Sequence, residues 1–300
     1  MRRGRGPLHH AAHGRAEHPR RAAVSAHAPG GARMKLDRAR LQALQRHLLA
    51  RADLPPPAGW IRVWLSGNAI GAASPEVARF LAAREPRCTL GERGLEFVDD
   101  GFDFRDRCAL LADAAHRLRD AGLLHGWRDE QLDVRPLAGG TRLATIERAA
   151  CRALGIPTHA VHMNGFHADG RLYVARRADD KPIDPGMWDN LVGGMVAADE
   201  SELQALAREA KEEAGLDLAR LAPARGGFVR ERRPVREGYM VESVQVFDAA
   251  LPPGCEPRNE DGEVAAIELR DIPEVLDAIE RDEFTLEAAL VTLDALLRRA

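Results

Sequence analysis

The chain is short of several residues that mark particular protein classes. Its 300 residues include four cysteines, Cys88, Cys108, Cys151 and Cys255, with no CxxC or CxxH spacing. This scatter favours reduced thiols over a disulfide framework or a zinc site. No apolar run approaches the ~20 residues that a membrane span needs. We therefore expect a soluble, cytoplasmic protein without a membrane partner.

Lysine is scarce as well. Only Lys35, Lys181 and Lys211 occur among 43 basic residues, so arginine is the default cation of this chain. Such a bias is typical of a GC-rich genome, and it lowers the weight of any single arginine as a predicted ligand. Lys181 stands out for the same reason.

The first 33 residues carry charge of almost one sign. They hold seven arginines and one acid, Glu17, whereas the rest of the chain has 36 basic and 45 acidic residues. No apolar stretch follows the arginines as in a secretory signal, and no aromatic residue interleaves them to stack on nucleic-acid bases. We expect residues 1–33 to be a disordered basic extension before a natural start at Met34, and no nucleic-acid partner.

Patterning from Met34 onward predicts two domains. Residues 34–140 combine periodic helices with short strands and form a small α+β domain, and the Pro136 to Gly140 stretch is typical of a linker. A helix over 141–155 then opens the second domain, residues 141–300. Its other predicted elements are a hairpin turning at residues 168–170, later strands over 226–231 and 238–251, and a terminal helix over 286–299.

The densest cluster of carboxylates lies between Gly194 and Leu216. Residues three and four apart share one face of a helix, so Glu209, Glu212 and Glu213 fall on a narrow arc. Like charges this close repel, and a hard cation such as Mg²⁺ relieves the repulsion.

An apolar stripe, Leu203, Leu206, Ala210 and Ala214, borders this arc and predicts packing on a sheet. Ser201 offers an N-cap and Gly215 a left-handed stop.

The spacing of these residues is a known signature. Gly194, Glu200, Arg208, Glu209, Glu212, Glu213, Gly215 and Leu216 together resemble the Nudix box, with Ala210 where that family usually has a bulkier residue. The resemblance implies an α/β/α sandwich with a mixed sheet, preceded here by the small α+β domain. It also implies that water cleaves a diphosphate joined to another group X, with Mg²⁺ or Mn²⁺ as the cofactor.

The resemblance also implies roles for single residues. Glu212 and Glu213 become the main metal ligands, helped by a carbonyl at Gly194 or its neighbour. Glu209 ligates a second metal or orients water, and Arg208 holds the glutamates by charge-assisted hydrogen bonds. Glu200 then serves as a structural partner of Arg208.

Candidates outside the box come from their own positions. Glu263, in a loop before a strand, is a candidate outer metal ligand or water-orienting base. In the loop from Lys181 to Asn190 and the stretch just before it, we expect Lys181 or Arg177 to reach a phosphate and Asn190 to contact substrate. Trp188 either stacks on a flat ring of the substrate or opens the strand as a core residue.

Three histidines lie near the predicted hairpin. His159, His162 and His167 fall on an alternating strand or just beyond it, so their side chains point to different faces. The pattern favours ordinary hairpin residues over a histidine metal site.

The flanks narrow the resemblance. WRDE (127–130), IERAA (146–150), HMNGF (162–166), the stretch ARR to LVGG (175–194) and DGEVAAIEL (261–269) resemble a Nudix subgroup related to the domain fused to thiamine pyrophosphokinase in some fungi. The resemblance to that subgroup implies hydrolysis of oxo and oxy thiamine diphosphates to monophosphates.

Three alternatives stay open for the activity. One is a pyrophosphatase of nucleoside-diphosphate derivatives such as ADP-ribose or NADH. Another is isopentenyl diphosphate isomerase, which shares the fold but needs a reactive cysteine where this chain has His162-Met163-Asn164. The last is a non-catalytic sensor, although sensors commonly lose the box glutamates. The partner is in each case a small-molecule diphosphate, and a homodimer stays open.

Overall fold

The computed structural model describes residues 36–181, 183–260 and 262–300. The predictions made for residues 1–33 therefore lie outside the described residues. Residues from Met34 to the end belong to one compact unit. None of the helices in the described ranges combines the length and hydropathy needed to cross a bilayer. The cytoplasmic location stays a prediction.

The N-terminal part is a small sheet with helices, as the α+β prediction has it. Strands β1 and β4 run parallel, and the sheet has the order β2-β1-β4-β3. Asp37 caps the first helix, and Asp103 forms a capping box with Asp106 at the third. The elements are α1 (Arg38–Ala52), β1 (Ile61–Leu65), β2 (Asn68–Ala73), α2 (Pro75–Arg84), β3 (Cys88–Gly91), β4 (Gly94–Phe97) and α3 (Phe104–Asp120).

The helix predicted over 141–155 is half wrong. Its first part is a strand, β6 (Ala144–Glu147), which pairs with β5 (Gln131–Val134), and only then does α4 (Arg148–Ala153) begin. Alternate residues of this hairpin are buried, so strand pairing and burial outweigh the local helix preference. The stretch predicted as a linker, residues 136–140, lies in the turn between β5 and β6, where the Leu137 N–H donates to the Ala69 carbonyl.

The central sheet is mixed, as predicted. Its main order is β11-β12-β7-β8-β13; β12 and β7 are parallel, and the other pairs are antiparallel. Strand β10 adds to β7, and β9 adds to β8. The strands are β7 (Thr158–Phe166), β8 (Leu172–Arg177), β9 (Trp188–Asn190), β10 (Val192–Met195), β11 (Ala224–Val235), β12 (Gly238–Ala250) and β13 (Val264–Arg270).

Helices cover both faces of this sheet. On one face, α5 (Glu202–Ala214) packs on a core that includes Val161 and Met163 of β7. On the other lie α6 (Ile272–Glu280) and α7 (Leu286–Arg299), the terminal helix predicted over the same residues. The α/β/α sandwich is therefore confirmed.

The larger core joins both predicted domains. Leu41 and Leu48 of α1 lie in the same buried cluster as Leu293 and Leu296 of α7. Residues 34–300 thus share packing across residue 140, and the division at that position stays a prediction.

Two glycines allow α4 to lie close to the first sheet. A Cβ on Gly71 would lie 2.2 Å from the Leu154 carbonyl oxygen, and one on Gly155 would lie 2.3 Å from that of Ala72. Gly155 also has a φ of +57°, which glycine adopts at least cost. This contact holds α4 between the small sheet and β7.

Candidate functional site

Helix α5 carries the predicted carboxylates and is capped as predicted. Ser201 and Gln204 form a reciprocal capping box, and Gly215 ends the helix with a φ of 62°. The prediction that Leu203 belongs to the apolar stripe was wrong, because 56% of Leu203 is exposed. Ala205, two residues further along the helix, is buried instead, and the buried stripe is Ala205, Leu206, Ala210 and Ala214.

Arg208 ties the acidic side of α5 together. Its guanidinium donates to both carboxylate oxygens of Glu200, at 3.2 and 3.0 Å, and to Glu209 Oε1 at 2.7 Å. It also donates to the Met195 carbonyl at the end of β10. These bonds fix Glu209 relative to the sheet, since charge-assisted hydrogen bonds are stronger than neutral ones.

Gly194 makes room for Glu209. A Cβ at position 194 would lie 1.9 Å from Glu209 Oε1 and 2.6 Å from its Cγ, so no larger residue fits without moving that side chain. The glycine of the motif is therefore explained by a side-chain contact.

Gly193 serves Glu213 and His162 together. Its backbone N–H donates to Glu213 Oε2 at 2.8 Å, and a Cβ there would lie 2.7 Å from the His162 ring. Burial raises the pKa of Glu213 to about 8; the Gly193 hydrogen bond opposes this rise, and the charge of Glu209 adds to it. Burial raises the pKa of Glu209 as well, against the pull of Arg208.

The third glutamate lies further out. Glu212 is 48% exposed, lies 3.5 Å from Arg208 and does not line the cavity described below. In the described ranges, no three His, Cys, Asp or Glu side chains converge to hold an ion. The predicted ligand set, Glu209, Glu212, Glu213 and Gly194, therefore stays a prediction.

The donor set nevertheless fits a divalent cation. Glu209 and Glu213 are oxygen donors, and desolvation raises both pKa values, with added repulsion from Glu212 on Glu209 and from Glu209 on Glu213. A cation between them would remove both costs, and Mg²⁺ and Mn²⁺ prefer carboxylate and carbonyl oxygens.

Without a metal, the free energy of unfolding should decrease as pH rises, because of Glu213. Its folded pKa of about 8 exceeds the ordinary 4.5, so the folded state holds the proton longer than the unfolded state does. Stability therefore decreases between these two values as pH rises. In EDTA, Glu213→Gln should raise Tm at pH 9 and leave it nearly unchanged at pH 5. A Tm gain of equal size at both pH values would contradict the assigned titration.

A cavity of about 390 Å³ opens beside α5. Glu209, Glu213, Gly193 and Gly194 line one side of it. Charges of both signs line the remainder, so a polar ligand suits it better than an apolar one. Its cationic residues are Arg128, Arg148, Arg152, Lys181, Arg233 and Arg236, beside His162 and Arg177.

Two predicted residues meet in this cavity. Lys181 Nζ forms an ion pair with Glu263 Oε2, and both side chains line the wall. Burial raises the pKa of Glu263, but the contact with Lys181 outweighs it, so the pKa is lowered and the carboxylate is charged at neutral pH.

Arg177 has a different role from the predicted one. Its guanidinium donates to the carbonyls of Ile183 and Asp184 and to Asp189 Oδ2. Arg177 borders the cavity, but these hydrogen bonds hold the loop that precedes β9 against that strand. The structure does not support the predicted reach to a phosphate.

Trp188 and Asn190 are structural as well. Trp188 is 9% exposed, and Arg270 Cζ lies 3.7 Å from the centroid of its ring. Trp188 does not line the cavity of about 390 Å³. Of the two readings for Trp188, the structure supports the core residue. Asn190 is 3% exposed, and its amide donates to Asn164, Ala288 and Thr292. The predicted substrate contact of Asn190 is therefore not supported.

His162 is a cavity residue for which the sequence suggested no function. It is buried, its Nδ1 lies 2.8 Å from Asn190 Oδ1, and its Nε2 lies 3.2 Å from Glu287 Oε1, without the alignment of a hydrogen bond. Burial lowers its pKa, but the charge of Glu287 outweighs this and raises the pKa to about 10. His159 contacts Glu202 and His167 contacts Asp169, so the three histidines are separate.

Glu287 and the arginines of the wall were also missed. Arg128 and Arg148 lie in stretches that carry the subgroup resemblance, and only this resemblance could have pointed to them as site residues. Glu287 lies 125 residues beyond His162 and has no local signal.

Comparisons with known proteins identify the families that this chain resembles. The NUDIX domain model matches residues 158–290, and a domain of unknown function, DUF4743, matches residues 59–158. Nudix hydrolase 20, chloroplastic, of Arabidopsis thaliana is 32% identical over 198 residues, 64% of this chain and 53% of that protein. An isopentenyl-diphosphate Delta-isomerase of Streptomyces griseus is 34% identical over 139 residues, 44% of this chain and 70% of that protein.

One relative is covered almost completely. The uncharacterized Nudix hydrolase PA4841 of Pseudomonas aeruginosa is 32% identical over 178 residues, 58% of this chain and 99% of that protein. The chain spans little more than half the length of the Arabidopsis relative. With the box residues on α5 and at its flanks, and with 99% of PA4841 covered by the match, the chain belongs to the Nudix hydrolase family, with a DUF4743 segment before its Nudix domain.

Proposed function

We propose that the chain is a Mg²⁺- or Mn²⁺-dependent pyrophosphohydrolase that cleaves a diphosphate joined to another group X. One observation carries this proposal: α5 presents Glu209 and Glu213, held by Arg208 and Gly193, to a cavity that is also lined by several arginines and by Lys181, among further carboxylates. Carboxylates that bind a metal and cations that bind phosphate are the two parts that phosphoryl transfer needs.

The residues divide the work by position. Glu209 and Glu213, with the Gly194 carbonyl, would hold the metal, and Glu212 would join from the exposed side. When bound, the metal neutralises the diphosphate and lowers the pKa of a water molecule. Arg208 keeps Glu209 in place. Glu263, charged and facing the cavity, is suited to orient the attacking water, and Lys181 beside it to contact a phosphate.

For X, we propose the thiamine group, in particular its oxo and oxy forms, so that the product is the monophosphate. The flanking stretches that carry the subgroup resemblance each supply a residue to the cavity wall, which supports this choice. They are Arg128 of WRDE, Arg148 of IERAA, His162 of HMNGF, Lys181 of the following loop and Glu263 of DGEVAAIEL.

The alternatives have less support. The described residues that line the cavity include no cysteine, which an isomerase of this fold would need. A non-catalytic sensor has no use for the complete set of box glutamates. A nucleoside-diphosphate derivative such as ADP-ribose remains the main alternative substrate.

A substrate panel tests the proposal. Oxothiamine diphosphate, oxythiamine diphosphate, thiamine diphosphate, ADP-ribose, NADH and dinucleoside polyphosphates are assayed with Mg²⁺ for product phosphates, and kcat/KM values are compared. We expect the highest value for an oxidised thiamine diphosphate. A higher value for any nucleotide would overturn the choice of X, and no hydrolysis of any compound would overturn the enzyme reading.

A further inference from the structure

Three cations surround one carboxylate in the cavity. Lys181 contacts Glu263 directly, and Arg128 and Arg148 line the same cavity. Lys181 is paired with Glu263 and Arg148 with Glu130, so the positive charge of Arg128 is left for a second anion to neutralise.

The two arginines are held in place by their own segment. The Arg148 guanidinium donates to Glu130 at 2.7 Å, and its backbone N–H donates to the Glu130 carbonyl at 2.8 Å. The backbone N–H of Arg128 donates to Glu147 Oε1 at 2.9 Å, and Glu147 is buried. Buried and paired acids thus fix where both arginines enter the cavity.

Arg128 differs from Arg148 in its side chain. Within the described ranges its guanidinium takes part in no hydrogen bond or ion pair, although it is an exposed wall residue. A guanidinium presents a planar fork of donors that matches phosphate oxygens. Arg128 is therefore available to a ligand without breaking a contact of the fold.

The cluster lies beside the helix that carries the glutamates. Arg128, Arg148 and Lys181 line the same cavity as Glu209 and Glu213. If one phosphate of a diphosphate binds at Glu209 and Glu213, its other phosphate would therefore lie near the cations.

We propose that Arg128 and Arg148, supplied by the DUF4743 segment, form with Lys181 a subsite for the terminal phosphate of a diphosphate monoester. The identity of that phosphate as the substrate's rests on the proposed function. A terminal phosphate carries more charge than a phosphate that bears an ester bond in addition to its anhydride bond, so three cations select diphosphate monoesters over diesters such as ADP-ribose. The segment of unknown function thereby acts as part of the substrate pocket.

Binding of inorganic phosphate tests the subsite without turnover. Orthophosphate is titrated calorimetrically, in EDTA, into the wild type, Arg128→Ala, Lys181→Ala and Arg84→Ala. Arg84 is an exposed arginine of the same segment that does not line the cavity. We expect both cavity variants to bind about tenfold more weakly or worse, since each loses a charge-assisted bond, and Arg84→Ala to match the wild type.

Three outcomes would overturn the subsite: no phosphate binding by the wild type, unchanged binding by both cavity variants, or an equal loss in Arg84→Ala.

The kinetic counterpart uses Arg128→Ala on a thiamine diphosphate derivative and on ADP-ribose. The monoester should lose about tenfold in kcat/KM, and the diester should change little. Equal losses on both substrates would contradict the proposed selectivity. If no substrate is hydrolysed, the proposed function is wrong, and the phosphate titration alone then tests the subsite.

Discussion

Replacing Glu213 by glutamine should lower kcat by roughly a hundredfold or more, because the variant removes one negative oxygen donor from the metal site. The fold should survive, since the glutamine amide oxygen can still accept the Gly193 N–H bond that Glu213 now accepts. The measurement is steady-state hydrolysis at saturating Mg²⁺, with circular dichroism to check the fold.

Glu256→Gln is the matched control. It makes the same chemical change at an exposed carboxylate paired with Arg258, outside the cavity. We expect its kcat to equal the wild-type value. Hydrolysis by Glu213→Gln at a near wild-type rate, with Mg²⁺ supplied, would remove Glu213 from the site.

Gly194→Ala should be nearly as damaging, for a steric reason. The new Cβ would overlap Glu209 along most of its side chain, with 1.9 Å to Oε1 and 2.1 Å to Cδ. Glu209 must then leave its position beside Arg208, and a shift of about 1 Å in a catalytic group can cost about a hundredfold in rate. We expect that loss in kcat, measured with the same substrate.

Gly91→Ala is the control for this variant. Gly91 ends β3, and a Cβ there would meet no atom within 4 Å. It should keep wild-type activity. If Gly194→Ala is as active as Gly91→Ala, the placement of Glu209 does not limit the reaction.

The sequence predicted those parts of the site that are local along the chain. The caps at Ser201 and Gly215 and the arc of glutamates depend only on helix geometry, which is the same in any fold. The α/β/α sandwich and the terminal helix over 286–299 were predictable for a similar reason, from the motif and from periodicity.

The roles of residues that depend on distant partners could not be decided from the sequence. Trp188 is a core residue because Arg270 covers its ring. Asn190 is structural because its amide donates to Asn164 and Thr292. None of these partners lies nearby in sequence. The β6 strand was read as helix because its pairing with β5 is invisible in its own composition. His162 and Glu287 likewise meet only through the fold.

The central claim is that water cleaves a diphosphate at the α5 glutamates with a divalent metal. Phosphorus NMR of an oxidised thiamine diphosphate incubated with the wild type tests it most directly, with Mg²⁺ or with EDTA. The account predicts that the two diphosphate signals give way to a monophosphate ester and orthophosphate with Mg²⁺, and that they persist with EDTA. Conversion at the same rate in EDTA, or no conversion of any diphosphate in the panel with Mg²⁺, would contradict it.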